Sequence, residues 1–306
     1  MSNLSLANPF LPRDGSLNVY LKGVGKVTLR LSIMPTVWGE KVVIRLPRIT
    51  HNFVLDNLGL SNQTVWFLRR TIAQKGGVIL ICGATGSGKS TTYYSLLKEC
   101  LSYGQVVSSL EDPVEVEIKG AAQTTLSSKT GLTFSSAVKA VLRQDPEVIC
   151  ISEIRDKESA AYLFQLALTG HLVITTMHAG NFADALMRLE AFGINNSLLK
   201  ALKVILVQRL LPALEECCKT LNQEESSKFG FSVYSQPGCK VCQSLNLTRS
   251  VLAEECLVFK KPLISFLTTE RLNSDNNWWF LPFSSSMLSL LREQKISLET
   301  YLSYSS

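Results

Sequence analysis

VILICGATGSGKSTT, residues 78–92, decides how this chain is read. Val78–Cys82 is a continuous apolar run, the pattern of a strand covered on both faces. Gly83 to Ser90 then fits G-x-x-x-x-G-K-[ST], a loop that cradles phosphates. The glycines let the backbone wrap an anion and aim successive N–H groups inward. The helix expected after the loop presents its positive end to the same anion. Lys89 supplies a point charge for the outer phosphates, and the Ser90 hydroxyl can ligate Mg²⁺. Gly83, Ala84, Thr85, Gly86, Ser87, Gly88, Lys89, Ser90 and Thr91 therefore form the candidate nucleotide loop, with ATP and Mg²⁺ as the cofactors expected. A chance glycine-rich turn with a lysine would not need the strand before it and the helix after it.

Outward from the loop, strands and helices alternate. Val106–Leu110, Val148–Ser152 and His171–Thr176 read as further buried strands. Helices are expected from a cap near Ser135, from Asp156 to Gly170, and from Asn181 to Gly193. This order predicts an α/β fold with a mainly parallel sheet. In such a sheet the C-terminal strand ends share one edge, where ligands bind. Glu111, Asp112 and Glu115 follow one strand, and Glu153 follows another, so both clusters are expected beside the phosphate loop. Carboxylates there can hold hydrated Mg²⁺ or polarise a water. Helix capping explains Asp112 and Asp156 equally well, but it suits Glu153 poorly, because Glu153 directly ends an apolar strand. His178 closes the next strand on the same edge, whereas His171 opens it.

Before the loop, Ser16–Lys22, Lys26–Ile33 and Lys41–Leu46 read as antiparallel strands, and Ser61 or Asn62 as the cap of a helix through Gln74. After it, Ser197–Leu211 reads as helical up to Pro212, followed by a Cys-rich loop and a less legible tail. The boundaries expected are 1–47 for a small first lobe, 48–60 for a linker, 61–214 for the core and 215–306 for a Cys-containing segment with a helical end.

The 306 residues suffice for about two domains. A net charge of +6 and 18% charged residues describe a globular chain that has no need of nucleic acid as a partner. The first 60 residues carry seven Lys/Arg against three Asp/Glu, which is either a solvated face or a module facing phosphates. The longest stretch free of acidic and basic residues, Ser159–Ala183, contains Gln165, His171 and His178 and cannot be one apolar span. The N-terminus has no basic n-region and no long apolar h-region, so the expected location is the cytoplasm.

Together these residues resemble the secretion ATPases of type II secretion and type IV pilus assembly. The resemblance runs from about Leu11 to the C-terminus and rests on ordered motifs: GATGSGKSTT (83–92), LEDPVE (110–115), LRQDPEVICISEIRD (142–156) and TGHLVITTMH (169–178). RLSIMPTVWGEKVVIRL (30–46) and REQKISLETYL (292–302) add to it. The resemblance implies a RecA-like P-loop NTPase core behind a partial α+β, PAS-like lobe. It implies a homo-hexamer that hydrolyses ATP and drives pilin-like subunits into a filament. Its partners would be inner-membrane platform and docking proteins, which would hold it peripherally at that membrane. Carried onto this chain, Glu153 positions or activates water, Glu111, Asp112 and Glu115 form an acidic box, and His178 contacts the γ-phosphate. Arg30 and Arg45 match basic positions that reach phosphates. Against the family, the first strands of the smaller lobe and a more distal domain are missing, so the chain reads as an N-terminally shortened relative.

Ser152 stands where the family usually has glycine, which leaves open a ring subunit or scaffold that binds nucleotide with little turnover. Retraction and competence or DNA-transfer ATPases share the same engine and stay open too. The family's assembly branch often holds Zn²⁺ with two C-x-x-C pairs. Here Cys239 and Cys242 keep one pair, while Cys217 and Cys218 are adjacent. The candidate zinc ligands are Cys218, Cys239 and Cys242, with Cys217 as the fourth; adjacent cysteines are expected to converge on one ion only with difficulty, and buried thiols without metal are the other reading.

Overall fold

The computed structural model describes residues 11–21, 25–45, 53–126, 132–240, 249–261 and 278–304. The chain divides into two compact units, Met1–Asn52 with Glu115–Glu117, and Phe53–Val114 with Ile118–Ser306. In the first, β1 (Arg13–Leu21), β2 (Gly25–Thr36) and β3 (Gly39–Arg45) form an antiparallel sheet in that order. The first-lobe strands were legible because polar and apolar residues alternate through them. Among the described residues this unit holds strands only, so the helical part of the expected α+β lobe is not seen there.

The second unit starts inside the expected linker. Phe53, Leu55 and Leu60 are buried, and a short 3₁₀ turn spans Leu55–Asn57. This apolar spacing docks the segment onto the core instead of leaving it as a tether. The helix α1 (Asn62–Gln74) follows, with the Ser61 hydroxyl accepting the N–H of Thr64 as its cap. Then come β4 (Gly77–Cys82), α2 (Lys89–Ser102), β5 (Val107–Glu111), β6 (Ala122–Thr125), α3 (Phe134–Leu142) and β7 (Val148–Ile151). The helix α4 (Lys157–Leu168), β8 (Leu172–Met177), α5 (Phe182–Ala191), α6 (Asn196–Leu199) and β9 (Leu202–Pro212) complete the core.

Ser197–Leu211 is thus mostly strand, contrary to the helical expectation. LKVILVQRLL is mostly apolar, with VILV at its centre, and so short an apolar run cannot be assigned to helix or strand by periodicity alone. Packing decides it: β9 lies parallel to β4 on one side and antiparallel to β12 (Ser250–Phe259) on the other. The short strands β10 (Thr220–Leu221) and β11 (Tyr234–Ser235) pair with each other around α7 (Gln223–Phe229). The strand β13 (Trp278–Leu281) pairs with β12, and α8 (Phe283–Arg292) and α9 (Leu298–Tyr304) end the described chain.

One eight-stranded sheet results, ordered β13-β12-β9-β4-β8-β7-β5-β6. Its β9-to-β6 part is parallel, and β12 and β13 run antiparallel at one edge. The expected break at 214/215 is therefore not a structural boundary, because β12 extends the same sheet. Val78, Leu80 and Cys82 turn one way, into a core shared with α4 and α5, and β4 is wholly buried. Each such buried aliphatic side chain contributes about 1.5–3 kcal/mol, so the strand that carries the phosphate loop is a rigid base for it.

Candidate functional site

The loop between β4 and α2 is shaped by backbone needs. Gly83 has φ +147°, and a Cβ there would lie 2.3 Å from Ser87 Oγ and 2.5 Å from the Gln208 carbonyl oxygen. Gly88, the N-cap of α2, is left-handed at φ 93° and offers no side-chain cap. The first N–H groups of α2 are thus left to an anion. Ser90, in the first turn, is exposed on this side. The Ser87 hydroxyl is buried and has no hydrogen-bond partner, the mark of a group that an outside acceptor or donor would satisfy. The Lys89 ammonium lies across the loop and donates to the carbonyls of Gly83 (2.7 Å) and Ala84 (2.8 Å). Burial lowers its pKa, and the nearby Glu153 carboxylate works against that. These features fit a nucleotide's phosphates.

Strand order places the acidic residues. The strand β8 lies between β4 and β7, and β5 lies beyond β7. The loops after β8, β7 and β5 therefore stand in a row beside the phosphate loop. Glu153 follows β7. Its Oε1 is 3.0 Å from His178 Nε2, and its Oε2 accepts from Arg155 Nε at 2.9 Å. The same guanidinium donates to Asp112 Oδ2 at 2.9 Å. The hydrogen bond to Glu153 above all, and that to Asp112, raise the Arg155 pKa against the opposing effect of burial. Below them, the Thr176 hydroxyl donates to the Ser152 carbonyl (2.6 Å), and the Ser152 N–H donates to the Leu110 carbonyl (3.1 Å). Serine at 152 is accommodated without disturbing the edge. A half-buried carboxylate held on both oxygens, near the lysine of a phosphate loop, can orient a water and take its proton.

Residues 1–277 match the family model described as "Type II/IV secretion system protein". The chain belongs to this family. It is 38% identical over 271 residues to the type IV pilus assembly ATPase PilB of Thermus thermophilus, covering 84% of this chain and 30% of that protein. It is 37% identical over 253 residues to the type II secretion system protein E of Dickeya dadantii, covering 79% of this chain and 50% of the relative. The chain thus spans half or less of these relatives' lengths. Among solved structures, the Legionella pneumophila ATPase DotB has a TM-score of 0.68 at 22% identity, over 96% of this chain and 77% of that one. The pilus retraction motor PilT, solved with ADP bound, has 0.63 at 24%, over 95% and 77%. These likenesses show the fold alone, the α/β core with its phosphate loop.

Within this family member, the acidic-box residues do not lie together as one group. Glu111 is 1% exposed and accepts from Tyr94 Oη (2.5 Å), Ser109 Oγ (2.7 Å) and Gln123 Nε2 (3.0 Å). It braces α2 and β6 from inside the core and does not reach the open edge, contrary to the expectation of a catalytic Glu111. Asp112 joins Glu153 through the Arg155 guanidinium. Glu115 is exposed and groups with the first unit. His171 stays at the opposite strand end, its Nδ1 3.2 Å from the Leu166 carbonyl oxygen. Arg30 and Arg45 are direct register partners on β2 and β3 of the first unit.

The cysteines overturn one expectation. The sulfurs of Cys217, Cys218 and Cys239 all lie within 4.8 Å of one another, with Cys217 and Cys239 3.8 Å apart. Adjacent Cys217 and Cys218 converge because they sit in a turn, and the β10–β11 pairing brings Cys239 back beside it. Cys242 lies outside the described residues. The donor set fits zinc, a thiolate-seeking tetrahedral ion.

Arg155, Tyr94 and Gln208 were missed as site residues. Arg155 could have been found as the one basic residue beside Glu153 on an acidic edge. Gln208, whose Nε2 donates to Thr92 Oγ1 at 2.8 Å behind the loop, carries no local signal.

Proposed function

We propose that this chain is the ATP-hydrolysing motor subunit of a filament-assembly machine of the type II secretion or type IV pilus kind. The observation that carries the reading is Glu153. It ends β7, is held by Arg155 and His178, and is close enough to Lys89 to act on its charge. Residues Gly83 to Thr91 would bind the triphosphate through backbone N–H groups and Lys89. Ser90 would ligate Mg²⁺, which supplies charge neutralisation at the phosphates when bound. Glu153 would orient and deprotonate the attacking water, Asp112 would hold Arg155 in place, and His178 would contact the terminal phosphate. The assignment of Arg30 and Arg45 to phosphate rests on the family resemblance.

The names of the relatives support assembly as the work done. A homo-hexamer, partners at an inner-membrane platform, and a cytoplasmic location peripheral to that membrane belong to the same proposal. No described helix is long and apolar enough to cross a membrane. Zinc held by Cys217, Cys218, Cys239 and Cys242 would staple the β10–β11 segment. Purified protein with Mg²⁺ should hydrolyse ATP, and Lys89→Ala should lose nucleotide binding about 100-fold or more. Tight binding with no hydrolysis by the natural chain, even with membrane platform protein added, would sink the motor reading and leave a nucleotide-binding ring scaffold.

A further inference from the structure

Glu255 is a carboxylate in an apolar layer. Residues 255, 257 and 259 of β12 alternate to one face, and Leu257 and Phe259 pack there with Phe182, Leu186 and Leu189 of α5. Glu255 is only 7% exposed. A carboxylate so placed needs a donor, and its Oε2 accepts the backbone N–H of Phe182, the first residue of α5, at 3.1 Å. Asn181 already caps the N–H of Asp184. Glu255 thus satisfies a second unpaired donor of that helix end, from a different strand.

Neighbouring side chains hold the same segment. Arg209 Nη2 donates to the Gly180 carbonyl at 3.1 Å, while its guanidinium carbon sits 4.6 Å from the Phe283 ring centroid. The Phe280 ring meets the Phe182 ring at 5.2 Å and 71°. Register puts Glu255 opposite Val207, Arg209 opposite Ala253 and Phe280 opposite Leu257, so one corner of the sheet supplies all these contacts. Other charged or titratable groups facing Glu255 are Asp184 on α5 and the buried Cys82 thiol on β4. The Glu255, Arg209 and Phe280 contacts to this segment fall on Gly180 and Phe182, two and four residues after His178. This corner, β9 with the antiparallel β12 and β13, grips the chain that carries His178 to Glu153.

We propose that Glu255 is a positioning residue for His178, acting by fixing the start of α5 so that the imidazole stays against the Glu153 carboxylate. The inference rests on the ATPase reading only for its catalytic consequence, so one arm of the test needs no turnover. Ring resonances of ¹³C-labelled histidine are compared in the natural protein, Glu255→Ala and Glu255→Gln, with His178→Gln to assign the signal. Glu255→Ala should move the His178 resonance and leave that of His171 in place. Glu255→Gln, which keeps an acceptor for the Phe182 N–H, should leave it near its original position. In ATP hydrolysis, Glu255→Ala should lower kcat about tenfold with KM within about twofold, because phosphate binding belongs to another loop. An unmoved His178 resonance in folded Glu255→Ala overturns the proposal, whatever happens to hydrolysis. So does a rise in KM with kcat unchanged. A moved resonance in a chain that never hydrolyses ATP keeps the positioning role and removes the motor reading.

Discussion

At the scale of single residues, two positions expose the physics of the site. Gly83 must be glycine twice over: its φ of +147° is strained for any other residue, and a Cβ would overlap Ser87 and the Gln208 carbonyl. Gly83→Ala should weaken nucleotide binding at least about tenfold, measured by titration calorimetry, because the loop must open to admit the methyl group. Glu255 adds a pH effect. Burial pushes its pKa up from 4.5 to about 7, with the Phe182 N–H and Arg209 opposing. A carboxyl raised in the folded state carries no penalty below its unfolded pKa, and the full penalty above its folded one. The cost of keeping Glu255 therefore grows from pH 4.5 to 7 and is complete above 7. Glu255→Gln should gain stability relative to the natural protein across that window, by up to about 3 kcal/mol at pH 8. Denaturant titrations at pH 5 and pH 8 check this; a gap that stays constant with pH would contradict it.

At the scale of elements, the β4–loop–α2 unit and the capped helices were legible, because their signals are local. Ser61, Asp156 and Asn181 cap α1, α4 and α5 as their side chains predict. Ser61→Ala should cost about 1 kcal/mol in thermal or denaturant unfolding. The sequence misleads at β9 and β12, where the deciding forces are tertiary. The apolar run of β9 suits a buried helix as well as a buried strand. In β12 the pair Glu254-Glu255 breaks the apolar pattern, yet both carboxylates are buried. Glu254 accepts the Ser61 N–H at 2.7 Å, and Glu255 accepts that of Phe182. A charge pair that finds backbone donors on two separate helix ends cannot be foreseen from its own strand. Leu206, fully buried in β9 between β4 and β12, tests the corrected assignment: Leu206→Ala should cost about 2–5 kcal/mol by denaturant unfolding. A cost near zero would deny β9 its central place.

At the scale of the whole molecule, one sheet gathers the chemistry. Its parallel strands deliver Gly83, Asp112, Glu153 and His178 to a single edge, and its antiparallel strands brace the last of these from the side. That edge was readable from strand order before any side chain was placed. What was not readable is that Glu111 turns inward while its neighbour Asp112 turns out, because alternation along β5 and its exit decides between them. The cysteine turn makes a separate prediction. Protein purified without chelator should carry about one zinc per chain, and Cys239→Ser should lose it. Metal analysis showing no zinc in a fully reduced, folded preparation would return Cys217, Cys218 and Cys239 to simple thiols.

The central claim is that Glu153 drives cleavage of a triphosphate that the 83–91 loop binds without its help. Single-turnover hydrolysis of γ-labelled ATP with Mg²⁺, run beside a binding titration on the same Glu153→Gln protein, tests it most directly. The account predicts binding within about threefold of the natural chain and cleavage slowed by about 100-fold or more. Cleavage at an undiminished rate would contradict it.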